Sequence, residues 1–312
     1  MTQIDVLTPR EVPLGGPRAM RVRRTLPQRH RSLIGAWCFV DHYGPDRVGD
    51  TGGMVLPAHP HTGLQTASWL FGGALEHRDS VGSLATVRPG ELNLMTAGRG
   101  ISHTEVSTPD TDVLHGAQLW IALPDATRHC EPGFEHFAPR PVRGPGWEAR
   151  VFLGSLLGAS SPVTTHTPLL GAELMLATGR SLEIEVDESF EHGVLLDVGL
   201  VAVEGEEIKP SDLAFVPAGR TTLTITAHEE ARLLLLGGPP FGEAIVMWWN
   251  FIGRTHDEIV GYRDEWQQQI TADGAVVDTG TAVADGRFGV VDLDLAPIPA
   301  PELPHVRLKL RR

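Results

Sequence analysis

The chain has 312 residues, of which 41% are hydrophobic and 21% charged, and its 39 acids against 26 Lys and Arg leave a formal net charge of −13. That length gives one large or two ordinary domains with a sizeable core, and the acidic balance repels phosphate backbones, so direct nucleic-acid binding is not expected. Two cysteines, Cys38 and Cys130, exclude a disulfide framework and point to reduced thiols in a cytosol. The opening MTQIDVLTPREV has no apolar core of signal-peptide type, and no window approaches 18 uninterrupted apolar residues. A cytoplasmic protein without a membrane span is expected. The basic clusters Arg18 to Arg24 and Arg307 to Arg312 read as solvated ends.

Glycine (35) and proline (24) are abundant for a helical protein and suggest short strands with many turns. In residues 1–56, Arg21 to Leu26 alternates weakly and Ile34 to Val40 reads as a buried strand. Asp41-His42-Tyr43-Gly44-Pro45 then reads as a turn or loop. Residues 57–123 carry the densest strand text: Thr66 to Phe71, Leu84 to Val87, Leu92 to Met95 and Gln118 to Leu123, separated by Gly, Pro and Asp. No helix-length amphipathic run interrupts them, which fits an antiparallel barrel or jelly roll. Residues 124–147, rich in Pro, His and Gly, read as a crossover loop, with His129, Cys130 and His136 as loop residues.

Strand text returns over residues 148–240, together with an internal echo. Arg88-Pro89-Gly90-Glu91-Leu92 through Ala97-Gly98-Arg99 matches Lys209-Pro210-Ser211-Asp212-Leu213 through Ala218-Gly219-Arg220 at a constant offset (209 − 88 = 220 − 99 = 121). Two copies of one barrel follow from it. The second copy has no His-x-His pair, and its His192 and His228 read as surface residues. Residues 241–270 hold the clearest helix, capped by Thr255 with Glu258 three positions on; Ile259, Tyr262, Arg263 and Trp266 mark its packed face. Residues 271–312 have strand fragments, and APIPAPELP predicts an extended, mobile tail.

The chemistry concentrates in residues 57–106, which open with His59-Pro60-His61 and close with His103-Thr104-Glu105. In a strand, residues i and i+2 share a face. His59 and His61 therefore aim together, as do His103 and Glu105 from another strand. One His-x-His pair carries little weight, but two donor pairs in one segment suit a divalent metal. Three imidazoles and a carboxylate favour iron, nickel, copper, manganese or zinc over calcium or magnesium.

Three longer stretches carry a family resemblance: His59-Pro60-His61-Thr62-Gly63-Leu64-Gln65-Thr66, Glu76-His77-Arg78-Asp79-Ser80, and Met95-Thr96-Ala97-Gly98-Arg99 through His103-Thr104-Glu105. With His115 to Trp120 and Arg287-Phe288-Gly289, they make the chain resemble the pirins, which are two-barrel cupin proteins. The resemblance is tight over 57–123 and loose from about 20 to 290. It implies an all-β fold of two tandem cupin (jelly-roll) β-barrels with a short C-terminal helix and tail. Residues 1–140 would be the metal-binding barrel, 141–270 a barrel without ligands plus the helix, and 271–312 an extension.

The resemblance also implies one divalent metal held by His59, His61, His103 and Glu105. Iron(II) is foremost, with nickel, copper, manganese or zinc as alternatives. Some pirins resemble quercetin 2,3-dioxygenases, which open a flavonol ring with molecular oxygen. A metal-dependent dioxygenase acting on small aromatic, enolic or phenolic substrates is therefore expected, with Glu105 as catalytic base. The alternative is a non-enzymatic redox- or metal-sensing regulator that binds a protein partner. One departure stands out: Gln65 occupies a position where many relatives carry Glu. An orienting carboxylate behind a ligand histidine would there become an amide.

Overall fold

In the computed structural model, which describes residues 4–14, 20–272, 275–276, 286–291 and 295–312, the run Leu233-Leu234-Leu235-Leu236 lies within the strand Ala231–Gly238. Leu233 and Leu235 pack in one core; Leu234 and Leu236 pack in another. A strand buried on both faces needs apolar residues at every position, so its sequence is continuous rather than alternating.

Two barrels produce this arrangement. The first pairs a four-stranded sheet with a seven-stranded one. The four strands run in the spatial order Val55–His61, Ile101–Ser107, Leu75–Asp79, Leu84–Val87. The seven run Gly133–Phe137, Leu92–Thr96, Leu64–Gly72, Val113–Ala122, Trp37–Arg47, Arg21–Leu26, Arg10–Pro13. The second barrel repeats the plan. Its seven-stranded sheet is ordered Asp5–Leu7, Leu213–Val216, Glu191–Val198, Ala231–Gly238, Leu170–Leu176, Trp147–Leu153, Val142–Gly144. Its four-stranded sheet is Ser181–Glu185, Thr222–Ala227, Val201–Val203, Glu206–Ile208. The fold is thus the bicupin expected from the sequence. The segment Asp5–Leu7 pairs with Leu213–Val216, so the first described strand belongs to the second barrel's sheet.

The internal echo is visible in the backbone. Gly90 (φ 74°) and Ser211 (φ 73°), 121 positions apart, occupy the same left-handed conformation in matching turns. Glu91 N–H donates to the Arg88 carbonyl, and Asp212 N–H donates to the Lys209 carbonyl. Each turn then launches a strand of its seven-stranded sheet.

The outer faces of the two large sheets pack against each other through Trp37, Trp69, Leu119 and Ile121 from one side and Leu195, Phe215, Leu234 and Leu236 from the other. One polar node crosses this interface. Asp197 Oδ1 receives His42 Nε2 at 2.8 Å and His115 Nε2 at 2.7 Å, while Arg232 Nε donates to Oδ2 at 2.6 Å. His42 Nδ1 lies 2.9 Å from the hydroxyl of Ser211, the residue in the left-handed turn.

Several expectations need correction. Asp41 to Pro45 are not a turn. They continue the strand Trp37–Arg47, in which buried Asp41 takes a bidentate pair from Arg24 at 2.6 and 2.7 Å. His192 is buried in its strand, whereas His228 is exposed as expected. The crossover 124–147 contributes Gly133–Phe137 to the first barrel's sheet, and there His136 bonds Asn93 at 2.6 Å. The helix is confined to His256–Ile270, capped by Thr255 Oγ1, which accepts from Glu258 N–H. A hairpin, Val246–Trp248 with Phe251–Gly253, precedes it.

The tail is anchored rather than mobile. Ile298 N–H donates to Ala58 O at 2.8 Å, Ala300 N–H to Gln267 at 2.7 Å, and Trp266 Nε1–H to Ile298 O at 2.9 Å. Strand fragments expected over 277–285 and 292–294 lie outside the described residues.

Asp197→Ala removes the acceptor shared by an arginine and two imidazoles. The unfolding midpoint in urea should fall by the equivalent of about 3 kcal/mol. An unchanged midpoint would show that this node adds nothing to the packing between the barrels.

Candidate metal centre

The small sheet of the first barrel sets the site. Strand Ile101–Ser107 lies between Val55–His61 and Leu75–Asp79, with His103 opposite both His59 and Asp79. Glu105 is opposite His77. The register slips between His103 and Glu105 on the side facing Val55–His61, which moves Glu105 opposite Leu56 rather than Pro57. Period-2 alternation then turns His59, His61, His77, Asp79, His103 and Glu105 to the inside of the barrel, where all six are buried.

Donor atoms of His59, His61 and His103 lie within 4.8 Å of one another. Two of the three rings have their protons committed elsewhere. His59 Nδ1–H donates to the Pro57 carbonyl at 2.9 Å and His61 Nδ1–H to the Asn250 carbonyl at 3.0 Å, because a carbonyl can only accept. His103 Nδ1 faces His77 Nδ1 at 3.4 Å. His59 and His61, donating from Nδ1, each present a bare Nε2 when neutral. His61 Nε2 and His103 Nε2 stand 3.1 Å apart. Two nitrogens each about 2.1 Å from a shared ion and at right angles are about 3 Å apart. The donor set and its spacing therefore fit a transition metal, and every ligand ring is oriented by a partner on its other nitrogen.

Electrostatics agree with neutral rings. Burial pushes His59 down to about 4, and burial followed by the neighbouring imidazoles holds His61 and His103 well below the ordinary histidine range. Burial raises the Glu105 carboxyl. The Glu105 carboxylate accepts from Ser68 Oγ at 3.1 Å and groups with His77 and His103 within 4.8 Å. The four residues expected from the sequence thus fall into two overlapping triads that share His103: His59, His61 and His103 in one, and His103 and Glu105 together with His77 in the other.

Above them is a cavity of about 310 Å³, lined by all four. Phe39 and Trp120 stack at 4.1 Å and 13° to make a flat wall. Gln118 adds an amide, and Trp249, Asn250 and Ile298 come from beyond the second barrel. The hairpin that carries Trp249 and Asn250 sits so close that a side chain on Gly63 (φ 68°) would meet the Ile252 carbonyl at 2.4 Å.

The expected role of residue 65 is not seen. Gln65 donates to Thr96 Oγ1 at 2.9 Å, and its Oε1 is buried without a hydrogen-bond partner among the described residues, so it is bonded to none of the three histidines. Sequence reasoning missed His77, Asp79 and Asn250. The first two share the i, i+2 spacing that revealed the ligands. Asn250 arrives from 189 positions away and leaves no local signal.

Comparison with known proteins places this geometry in context. The family model described as Pirin matches residues 19–121, and that described as Pirin C-terminal cupin domain matches 171–271. A Pseudomonas aeruginosa protein provisionally named a quercetin 2,3-dioxygenase is 40% identical over 96% of this chain and 90% of its own. A pirin-like protein of Caulobacter vibrioides is 34% identical over 79% of this chain and 88% of its own. The crystal structure of quercetin 2,3-dioxygenase from Acinetobacter baumannii superposes with a TM-score of 0.87 at 38% identity, covering 98% of this chain and 97% of that one.

The buried imidazoles make the metal-free protein acid-labile. Unfolded histidines take protons near pH 6.5, while folded His59 resists until about 4 and His61 and His103 titrate lower than usual. Between those limits the unfolded chain binds more protons. Stability therefore falls as pH drops, by up to about 1.4 kcal/mol per pH unit for each ring. Asp197 is held below its ordinary range, chiefly by bonds from His115 and His42, so its contribution persists through this window and is lost only in stronger acid. The thermal midpoint of chelator-treated protein should drop by several degrees from pH 7.5 to 5.5. A level or rising midpoint would mean the rings are not held neutral.

Proposed function

The chain belongs to the pirin family, and on that premise we propose that it is a mononuclear metal protein acting as a metal-dependent dioxygenase on quercetin-like enolic or phenolic substrates. His59, His61, His103 and Glu105 would hold the metal, with iron(II) foremost among iron, nickel, copper, manganese and zinc. The observation that carries the reading is the convergence of bare Nε2 atoms whose rings are anchored through Nδ1. When bound, the metal supplies a positively charged centre with open positions for an enolate or phenolate oxygen and for the one-electron chemistry that molecular oxygen requires.

The protein's own groups do the rest. The stacked Phe39 and Trp120 rings give the cavity an aromatic lining, and with Trp249 they exclude water from the reacting atoms. Gln118, whose side-chain oxygen lies 2.9 Å from Ser68 Oγ, adds a polar group on the same wall. Glu105 is the proton acceptor. Burial raises its affinity for a proton, and Ser68 steadies the carboxylate between uses. Ring opening of a flavonol by oxygen begins with loss of such an enolic proton. Both cysteines are free thiols, which suits the reducing cytoplasm assigned to the protein here. Among the described residues, no helix is long and apolar enough to cross a membrane.

The net charge of −13 favours a second reading, a metal-dependent regulator that docks on a basic protein surface. Oxygen uptake by iron-loaded protein with quercetin separates the two, with metal content assayed in parallel. Wild-type protein should hold one metal per chain and consume oxygen. His61→Ala should lose the metal, and Glu105→Ala should lose at least about a hundredfold in turnover. Full metal occupancy without turnover on quercetin would overturn the flavonol assignment and leave another enolic or phenolic substrate or the regulator.

A further inference from the structure

Of the three rings in the centre, His103 alone among the described residues has its Nδ1 against a side chain rather than a carbonyl. That side chain is His77, and behind it stands Asp79. We propose that Asp79 and His77 form a hydrogen-bond relay that fixes the tautomer of His103 and thereby sets the metal affinity of the site. The proposal rests on the reading of His103 as a metal ligand. It makes His77 and Asp79 positioning residues that touch neither metal nor substrate.

The direction of the relay follows from which atoms can give a proton. Asp79 Oδ1 accepts from the backbone N–H of Val81 at 3.1 Å and of Ser83 at 2.9 Å. Its Oδ2 lies 3.2 Å from His77 Nε2. A carboxylate only accepts, so His77 carries its proton on Nε2. With that one proton on Nε2 the His77 ring has a bare Nδ1, and in the relay the 3.4 Å contact is then an N–H of His103 donating to it. His103 is left with a bare Nε2, aimed at His61 Nε2 and His59. The cross-strand register builds the relay, because Asp79 stands opposite His103 on adjacent strands. Stacking of His77 on Phe134, with centroids 4.8 Å apart, holds the middle ring. Histidine ligands are commonly oriented by a carboxylate; here the carboxylate acts at one remove.

Asp79→Asn reverses the relay without disturbing the turn. Its amide oxygen keeps the bonds to Val81 and Ser83, and the amide N–H₂ takes the place of Oδ2. His77 must then accept on Nε2 and donate from Nδ1. His103 must accept on Nδ1, which leaves a proton on the nitrogen that should bind metal. The reciprocal bonds between Ser80 and Ser102 hold the two strands together independently of Asp79.

The test uses cobalt(II) as probe, with affinity measured at pH 8 by chelator competition and visible absorption, on the full chain. Asp79→Asn and His77→Ala should each weaken cobalt binding about 10–100-fold, with the thermal midpoint of the metal-free protein little changed. His77→Asn puts an amide oxygen near the lost Nδ1 and should recover most of the loss seen with His77→Ala. In that background Asp79→Asn should cost nothing further. Wild-type affinity in both Asp79→Asn and His77→Ala would overturn the relay. So would an Asp79→Asn loss that persists undiminished beside His77→Asn, since that would make Asp79 a turn residue only. A wild-type protein that takes up no cobalt, iron or nickel would fail at the earlier step, overturning the metal centre and the relay with it.

Discussion

Back-to-back packing of the two seven-stranded sheets is the constraint on which everything else rests. A sheet buried on both faces must assign each residue to one of two interiors. In Val113–Ala122, Ala117, Leu119 and Ile121 go to the seam between barrels, while Gln118 and Trp120 go to the first barrel's interior. The second barrel fills its own interior with Val, Leu and Ile. Apolar packing thus fills the second barrel and the seam, and two smaller apolar clusters support the first barrel around its polar residues. The first barrel can then carry imidazoles, a carboxylate and an open cavity, which would weaken an isolated domain of its size.

Within that frame the site is governed by proton bookkeeping on neutral rings. An imidazole has one proton and one lone pair, and the partner of the first decides the direction of the second. Pro57 supplies one partner from the same strand, His77 another from the neighbouring strand, and Asn250 the third from beyond the second barrel. The anchored tail adds Ile298 to the cavity and bonds the strand that bears His59. The centre therefore draws on distant parts of the chain, although the four candidate donors fall within 47 residues of sequence, His59 to Glu105.

The bicupin fold was legible because its signals are local. The offset of 121 appeared as two matched turns, and the four-donor segment appeared as strand alternation. The turn expected at Asp41 to Pro45 failed because Asp, Gly and Pro have turn chemistry in isolation. A bidentate Arg24 and a partner strand override it. His192 looked like a surface residue because one polar side chain between two strands gives no sign of which face is covered. The tail failed for the opposite reason: a Pro-rich segment has no periodicity, so its docking depends on acceptors such as Ala58 O and Gln267, far away in sequence. Gln65 was assigned a partner by family pattern, and the fold directs it to Thr96 instead.

The Asn250 carbonyl has an evolutionary implication. Duplicated domains usually become modules that recombine, because each carries its own core and its own site. Here the connection after the second copy returns to orient a ring in the first, and Gly63 is kept small to admit it. Exchange of the second barrel for a foreign one would sever that return and strip the first barrel of a ligand's support. The two copies are thereby coupled, and the second, which lacks counterparts of His59, His61, His103 and Glu105, is a structural part of the first one's site.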